Sequence, residues 1–138
     1  MSASRFVDTN VLIYAISNMA EEARKRRLAQ ALLDRGGWGV SVQVLQEFYV
    51  QATRASRPNP LSHAIAIGWI DVWLGGEVQD NTLAVLKSAL AIKASYGFSY
   101  WDSAIIAAAR ALGCSELYTE DMSHGRQIEG VTIIDPFR

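Results

Sequence analysis

The chain has 138 residues, 50% hydrophobic and 20% charged, with a formal net charge of −1. That length suits one domain, 1–138, with room for a real core, and the composition is far from that of a disordered chain. No apolar run approaches the ~20 residues of a membrane span, no apolar signal core precedes the first strand, and the bulk charge lacks the Lys and Arg excess typical of nucleic-acid binders. These features predict a cytoplasmic protein. Arg5–Asp8 reads as a short apolar strand ending on a carboxylate, and Val11–Ile16 as the helix that follows at once. Glu21–Arg35 reads as a helix stopped by Gly36-Gly37, and Trp38–Ser41 as a second strand. Helices follow over Val42–Arg54 and Ser62–Leu74, parted by the Arg57-Pro58-Asn59-Pro60 loop. Glu77–Gln79 is a short polar strand that belongs at a sheet edge, followed by helices at Thr82–Tyr96 and Tyr100–Leu112. Strands at Glu116–Thr119 and Val131–Ile134 complete the pattern, with Ser41, Asn81 and Ser99 as N-caps and Gly113 as a stop. Alternating strands and helices predict an α/β fold, a parallel sheet of about five strands with helices on both faces.

In such a fold strand C-termini and helix N-termini share one edge, where ligands bind. Asp8 ends the first strand, Glu47 lies in the second turn after the second, Asp102 opens the Tyr100 helix, and Asp121 follows the fourth strand. Four convergent carboxylates repel one another and raise each other's pKa, so the cluster calls for a cation. Hard oxygen ligands suit Mg²⁺ or Mn²⁺, and two such ions are the usual device for in-line attack on a phosphodiester. Each residue also has a plainer role. Ser99-Tyr100-Trp101-Asp102 fits a capping box, and Asp121 fits a solvated turn. Glu47 sits among Leu45, Phe48, Tyr49 and Val50, where a Glu is rarely buried unless paired. Thr9 or Asn10 can cap the first helix, leaving Asp8 free. Asp80 also follows a strand and reads as a cap or pre-cap for the Thr82 helix, with a place in the site as the alternative.

The motifs Val7-Asp8-Thr9-Asn10-Val11-Leu12, Leu45-Gln46-Glu47-Phe48, Ser99-Tyr100-Trp101-Asp102-Ser103-Ala104-Ile105-Ile106 and Leu117-Tyr118-Thr119-Glu120-Asp121-Met122 together resemble the PIN-domain ribonucleases. Within that family the resemblance is nearest to the VapC-type toxins of bacterial toxin–antitoxin pairs, and it runs to the closing Val131-Thr132-Ile133-Ile134-Asp135-Pro136-Phe137. It implies a three-layer PIN-like fold and a metal-dependent endoribonuclease using Mg²⁺ or Mn²⁺. Carried over, Asp8, Asp102 and Asp121 are metal ligands and Glu47 binds metal directly or through water. Thr9 and Asn10 support the first aspartate, and Thr119 sits near the fourth acidic position. Glu120 falls on a variable position and Asp135 stands where many relatives have Asn, so neither is assigned a role. The implied partners are an RNA substrate, a cognate antitoxin and a second copy in a homodimer.

The remaining features are mostly structural in reading. Cys114 fits a small buried hydrophobe, and His63 and His124 have no partner at metal-ligand spacing. Arg24-Lys25-Arg26-Arg27 is the only dense basic run. Glu21–Lys25 and Glu22–Arg26 spacing suits a solvated helix face, with phosphate contact as the alternative. Arg54 and Arg57 complement a helix C-terminus. Ala64–Leu74 is apolar nearly all round, with Ile65, Trp69, Val72 and Trp73 on one face and Ile67, Ile70 and Leu74 on another. One face covers the core; the other predicts a second chain, with packing under a neighbouring helix as the alternative. Two other functions fit parts of the pattern: a housekeeping PIN nuclease of RNA maturation, and a Mg²⁺-binding receiver-like module. The latter wants an acidic pair near strand one and a Lys ending strand five, where this chain has Asp8 alone and Asp135-Pro136.

Overall fold

The computed structural model describes residues 3–138. Its strands are β1 (Arg5–Val7), β2 (Trp38–Ser41), β3 (Glu77–Gln79), β4 (Glu116–Tyr118), β5 (Gln127–Ile128) and β6 (Val131–Ile134). Its α-helices are α1 (Thr9–Ala15), α2 (Ala23–Asp34), α3 (Val42–Thr53), α4 (His63–Trp73), α5 (Leu83–Tyr96) and α6 (Tyr100–Ala111). The six strands form one sheet in the order β3-β2-β1-β4-β6-β5, parallel except for β5. The fold is therefore the expected α/β architecture with one strand more than expected. β3 takes the edge position its polarity predicts.

The two crossovers from β1 to β3 run outward and the one from β3 to β4 runs back, so the right-handed rule assigns α1–α4 to one face of the sheet and α5 and α6 to the other. The packing agrees: α1 contacts α2 and α3, α3 contacts α4, and α5 packs on α6. The core runs through Phe6, Val7, Leu12, Val40, Phe48, Ile106, Leu117 and Ile133. From β1 the chain steps outward through β2 to β3, then crosses back over the sheet to β4 on the other side of β1. The reversal makes β1 and β4 a topological switch point, where α/β sheets open a crevice beyond their carboxyl ends. Gly39 of β2 is buried where a Cβ would stand 2.9 Å from Leu112 Cδ1 and 3.1 Å from the Glu77 carbonyl, so glycine lets β3 and the end of α6 pack closely on it.

Several local expectations are corrected. Glu21 and Glu22 belong to a separate 3₁₀ turn (Ala20–Glu22), so they lack the i, i+4 geometry that pairing with Lys25 and Arg26 needs. The α5 cap is Thr82 rather than Asn81, its hydroxyl accepting from Val85 N–H. Asp8 itself caps α1, because the helix begins at Thr9. On α4 the core-facing stripe is Ala66, Ile70 and Trp73, with Trp73 edge-on to Phe48 at 4.7 Å. Trp73 therefore parts from Ile65, Trp69 and Val72, which are exposed along with Ile67 and Leu74.

Candidate active site

Asp8 and Thr119 face each other across the switch point, because Val7 pairs with Tyr118 one residue earlier and Asp8 N–H donates to the Tyr118 carbonyl at 3.0 Å. Asp8 is only 6% exposed. One oxygen accepts from Thr9 N–H at 2.7 Å and the other from the Thr119 hydroxyl at 2.9 Å. Thr119 Oγ1 in turn accepts from Asn10 Nδ2 and from Asp121 N–H, both at 3.1 Å. A hydroxyl has two lone pairs and one proton. With both lone pairs filled, its proton is committed to Asp8. Asn10 Nδ2 also donates to Asp121 Oδ2 at 3.1 Å, so one fully buried hydroxyl and one amide tie the first and last acidic residues together.

Glu47 arrives from α3, on one face of the sheet. Gln43, one turn earlier, donates to its Oε1 at 2.8 Å and to the Trp101 carbonyl at 3.3 Å. Thr9 Oγ1 lies 3.3 Å from Glu47 Oε2. The half-buried Glu is thus paired, as its apolar neighbours require. Asp102 arrives from α6, on the opposite face, in a first turn capped by Ser99, whose hydroxyl accepts from Asp102 N–H at 3.1 Å. Asp8, Thr9, Asn10, Glu47, Asp102 and Asp121 line a common cleft of about 90 Å³ with Gln51, Trp101 and Ile105.

The electrostatics follow from this crowding. Burial pushes the Asp8 carboxyl up to about 7 against the opposing bonds from Thr9 and Thr119, and the charges of Glu47 and Asp121 push the same way. Burial also raises Asp102, opposed by Ser99 and reinforced by Asp121. Among the described residues no three acidic side chains close on one point tightly enough to hold an ion as they stand. Repulsion is relieved instead by the pairing of Glu47 with Gln43 and of Asp121 with Asn10. The donor set itself, carboxylate oxygens with no His or Cys, suits a hard divalent cation.

Other candidates fall outside the cleft or turn away from it. Glu120 accepts from Tyr14 Oη at 2.5 Å and Lys25 Nζ at 2.8 Å, and the bonds Lys25 makes to Glu120 and to Tyr14 Oη push its ammonium up to about 12. Lys25 thus reaches the loop that carries Asp121, but as a structural tie. Arg24 donates to the Phe137 and Arg138 carbonyls and Arg26 to that of Ser17, so most of the basic run is spent on the chain itself. Asp80 is exposed beyond the edge strand β3. His63 bonds Tyr49 and His124 accepts from Asp135 N–H. Cys114 is buried, which raises its thiol to about 11. Gln43, Gln51, Trp101 and Ile105 were not anticipated. The two glutamines stand one turn either side of Glu47, a spacing that marks one helix face; nothing singled out Trp101.

A sheet with this switch point, four acidic residues on its carboxyl edge and helices on both faces defines a PIN-like α/β protein. The PIN domain family model matches residues 5–126, and the chain belongs to that family. No curated protein sequence matches significantly. Among solved structures it is similar to a toxin–antitoxin complex from Klebsiella pneumoniae, at a TM-score of 0.72 and 19% identity, covering 96% of this chain and 98% of that one. It is also similar to VapC20 of Mycobacterium tuberculosis, a sarcin-ricin loop cleaving toxin (TM-score 0.65, 21% identity, 86% and 92% covered). DNA-bound VapBC from Salmonella typhimurium has a TM-score of 0.68 at 19% identity, with 97% and 98% covered. These likenesses establish the shared fold.

Proposed function

We propose that the protein is a metal-dependent endoribonuclease and the growth-inhibiting toxin of a toxin–antitoxin pair. The observation that carries this reading is the cleft itself: carboxylates from four separate elements line one crevice at the switch point of a PIN fold. Asp8, Asp102 and Asp121 would hold Mg²⁺ or Mn²⁺, with Glu47 binding directly or through water. An ion held by these residues would supply Lewis acidity and positive charge. Asp8 is fixed by two hydrogen bonds, so its carboxylate direction is set before any ligand arrives. Asp121 is oriented by Asn10, and Glu47 by Gln43. These carboxylates would take the proton of the attacking water, whose oxygen bonds to phosphorus in line as the P–O3′ bond breaks; a proton returned to the leaving 3′-oxygen gives 5′-phosphate and 3′-hydroxyl ends.

The similarity to toxin–antitoxin complexes supports an antitoxin as partner, and the exposed apolar surface of α4 supports a second chain there, including another copy in a homodimer. The test incubates purified protein with structured RNA and Mn²⁺ or Mg²⁺, with and without chelator, beside Asp8→Asn and Asp102→Asn. Cleavage that survives chelation, or full activity in both variants, refutes the assignment. Induced expression without an antitoxin arrests growth if the toxin reading holds. Normal growth at verified protein levels favours a housekeeping nuclease instead.

A further inference from the structure

Beside the carboxylate cleft lies a wider groove of about 440 Å³, within the ~300–1,000 Å³ range of small-ligand sites. Gln43, Gln46, Glu47, Gln51, Arg54 and Trp101 line it, and Glu47, Gln51 and Trp101 also line the cleft, so the two are continuous. Trp101 stands at their junction, one residue before Asp102. It is 65% exposed, an unusual position for the side chain with the most to gain from burial. Its carbonyl is held by Gln43 at 3.3 Å, and its ring meets that of Tyr100 at 5.0 Å with the planes 78° apart.

The rest of the groove sets the apolar side chain of Val50 among unpaired polar groups. Among the described residues the side chains of Gln46, Gln51 and Arg54 have no partner within the chain, and Arg54 is the one cation on the groove wall. A protein with a net charge of −1 and four carboxylates beside this groove gains little from general attraction to phosphates. Stacking on an aromatic ring needs no net charge and tolerates any base. Free amides of glutamine suit the exposed edges of an unpaired base.

We propose that Trp101 is the stacking platform for an unpaired RNA base flanking the scissile phosphodiester, with Arg54 on an adjacent phosphate. The proposal rests on the nuclease reading and adds to it a preference for single-stranded or extruded nucleotides. A protein partner is the competing occupant, since Trp101 also borders Leu83 and Leu86 of α5. Continuity with the carboxylate cleft favours RNA, because Glu47, Gln51 and Trp101 line both spaces and a strand in the groove runs directly into the cleft.

The test measures anisotropy of a labelled ten-nucleotide single-stranded RNA in Ca²⁺, its integrity checked on a gel, with wild type, Trp101→Ala, Trp101→Gln and Trp101→Phe. Loss of one stacked base weakens binding about 10-fold in the Ala and Gln variants, and less than 3-fold in the Phe variant. A fully paired duplex is bound equally by all four. Arg54→Ala lowers the salt dependence by about one phosphate contact. The exposed position makes these variants foldable, and a thermal melt verifies it. Unchanged binding by both Ala and Gln variants, no binding by wild type, or a changed oligomeric state in light scattering overturns the platform. Trp101-dependent binding without Mn²⁺-dependent cleavage refutes the nuclease reading but not the platform. Cleavage with Trp101-independent binding does the reverse.

Discussion

The sharpest test of the site's architecture is Thr119→Val. The side chain is fully buried, and valine keeps its shape while removing the hydroxyl. That hydroxyl makes three bonds, donating to Asp8 and accepting from Asn10 and Asp121 N–H. A hydrogen bond to an ionised acceptor contributes about 1.5–3 kcal/mol, and an orphaned amide costs about 1–3 kcal/mol when dry. Asn10 keeps its bond to Asp121, and the Asp121 amide has access to water, so the expected loss is about 2–4 kcal/mol. That is a large share of a typical folding stability of about 5–15 kcal/mol. The assay is urea denaturation of metal-free protein at pH 8, where Asp8, with its pKa near 7, is ionised. At pH 5 the acceptor is neutral, and the penalty falls toward about 1 kcal/mol. Thr119→Ser keeps the hydroxyl and most of the stability. A Val penalty under about 1 kcal/mol at pH 8, or one that does not shrink at pH 5, refutes the idea that this hydroxyl holds the Asp8 carboxylate.

Because the folded state raises Asp8 from 3.8 to about 7, the folded protein holds a proton that the unfolded chain releases. The Asp8 contribution to stability is thus present below pH 4 and lost as pH rises toward 7. Melting temperature against pH shows this slope, and Asp8→Asn flattens it. Mn²⁺ raises the melting temperature of wild type more at pH 8 than at pH 5, since protons compete for the same oxygen atoms; an equal rise at both values argues against Asp8 as a ligand. Gly39→Ala forces a methyl against Leu112 and the Glu77 backbone and costs about 1–3 kcal/mol in denaturant midpoint terms. Ser99→Ala removes the α6 cap and costs about 1 kcal/mol, measured in the same way.

The regular elements were readable because their signals are local. Apolar alternation, caps such as Ser41 and Ser99, and the polarity of Glu77–Gln79 each carry their own reason. What escaped was either very short or non-local. β5 has two residues and pairs with β6 through a tight turn in which Glu129 and Gly130 both have positive φ, at 51° and 84°. Only the Gly at a two-residue loop hinted at it. Thr9 and Asn10 are the better-known caps and hide the role of Asp8, yet a helix beginning at Thr9, two residues before Val11, makes Asp8 the cap. The edge shared by the four carboxylates follows from topology alone. The ties that orient them do not: Thr119 reaches Asp8 across 111 residues, and Lys25 reaches Glu120 across 95. No periodicity encodes such pairs.

The bond between Thr119 and Asp8 also has a consequence in time. β1 is made first, and its neighbour β4 comes only after α6. Until β4 emerges, a growing chain carries Asp8, Glu47 and Asp102 but has no strand to pin the first of them, and pairing over such a separation is slow. A chain interrupted before Glu116 holds three of the four acids and no assembled cleft.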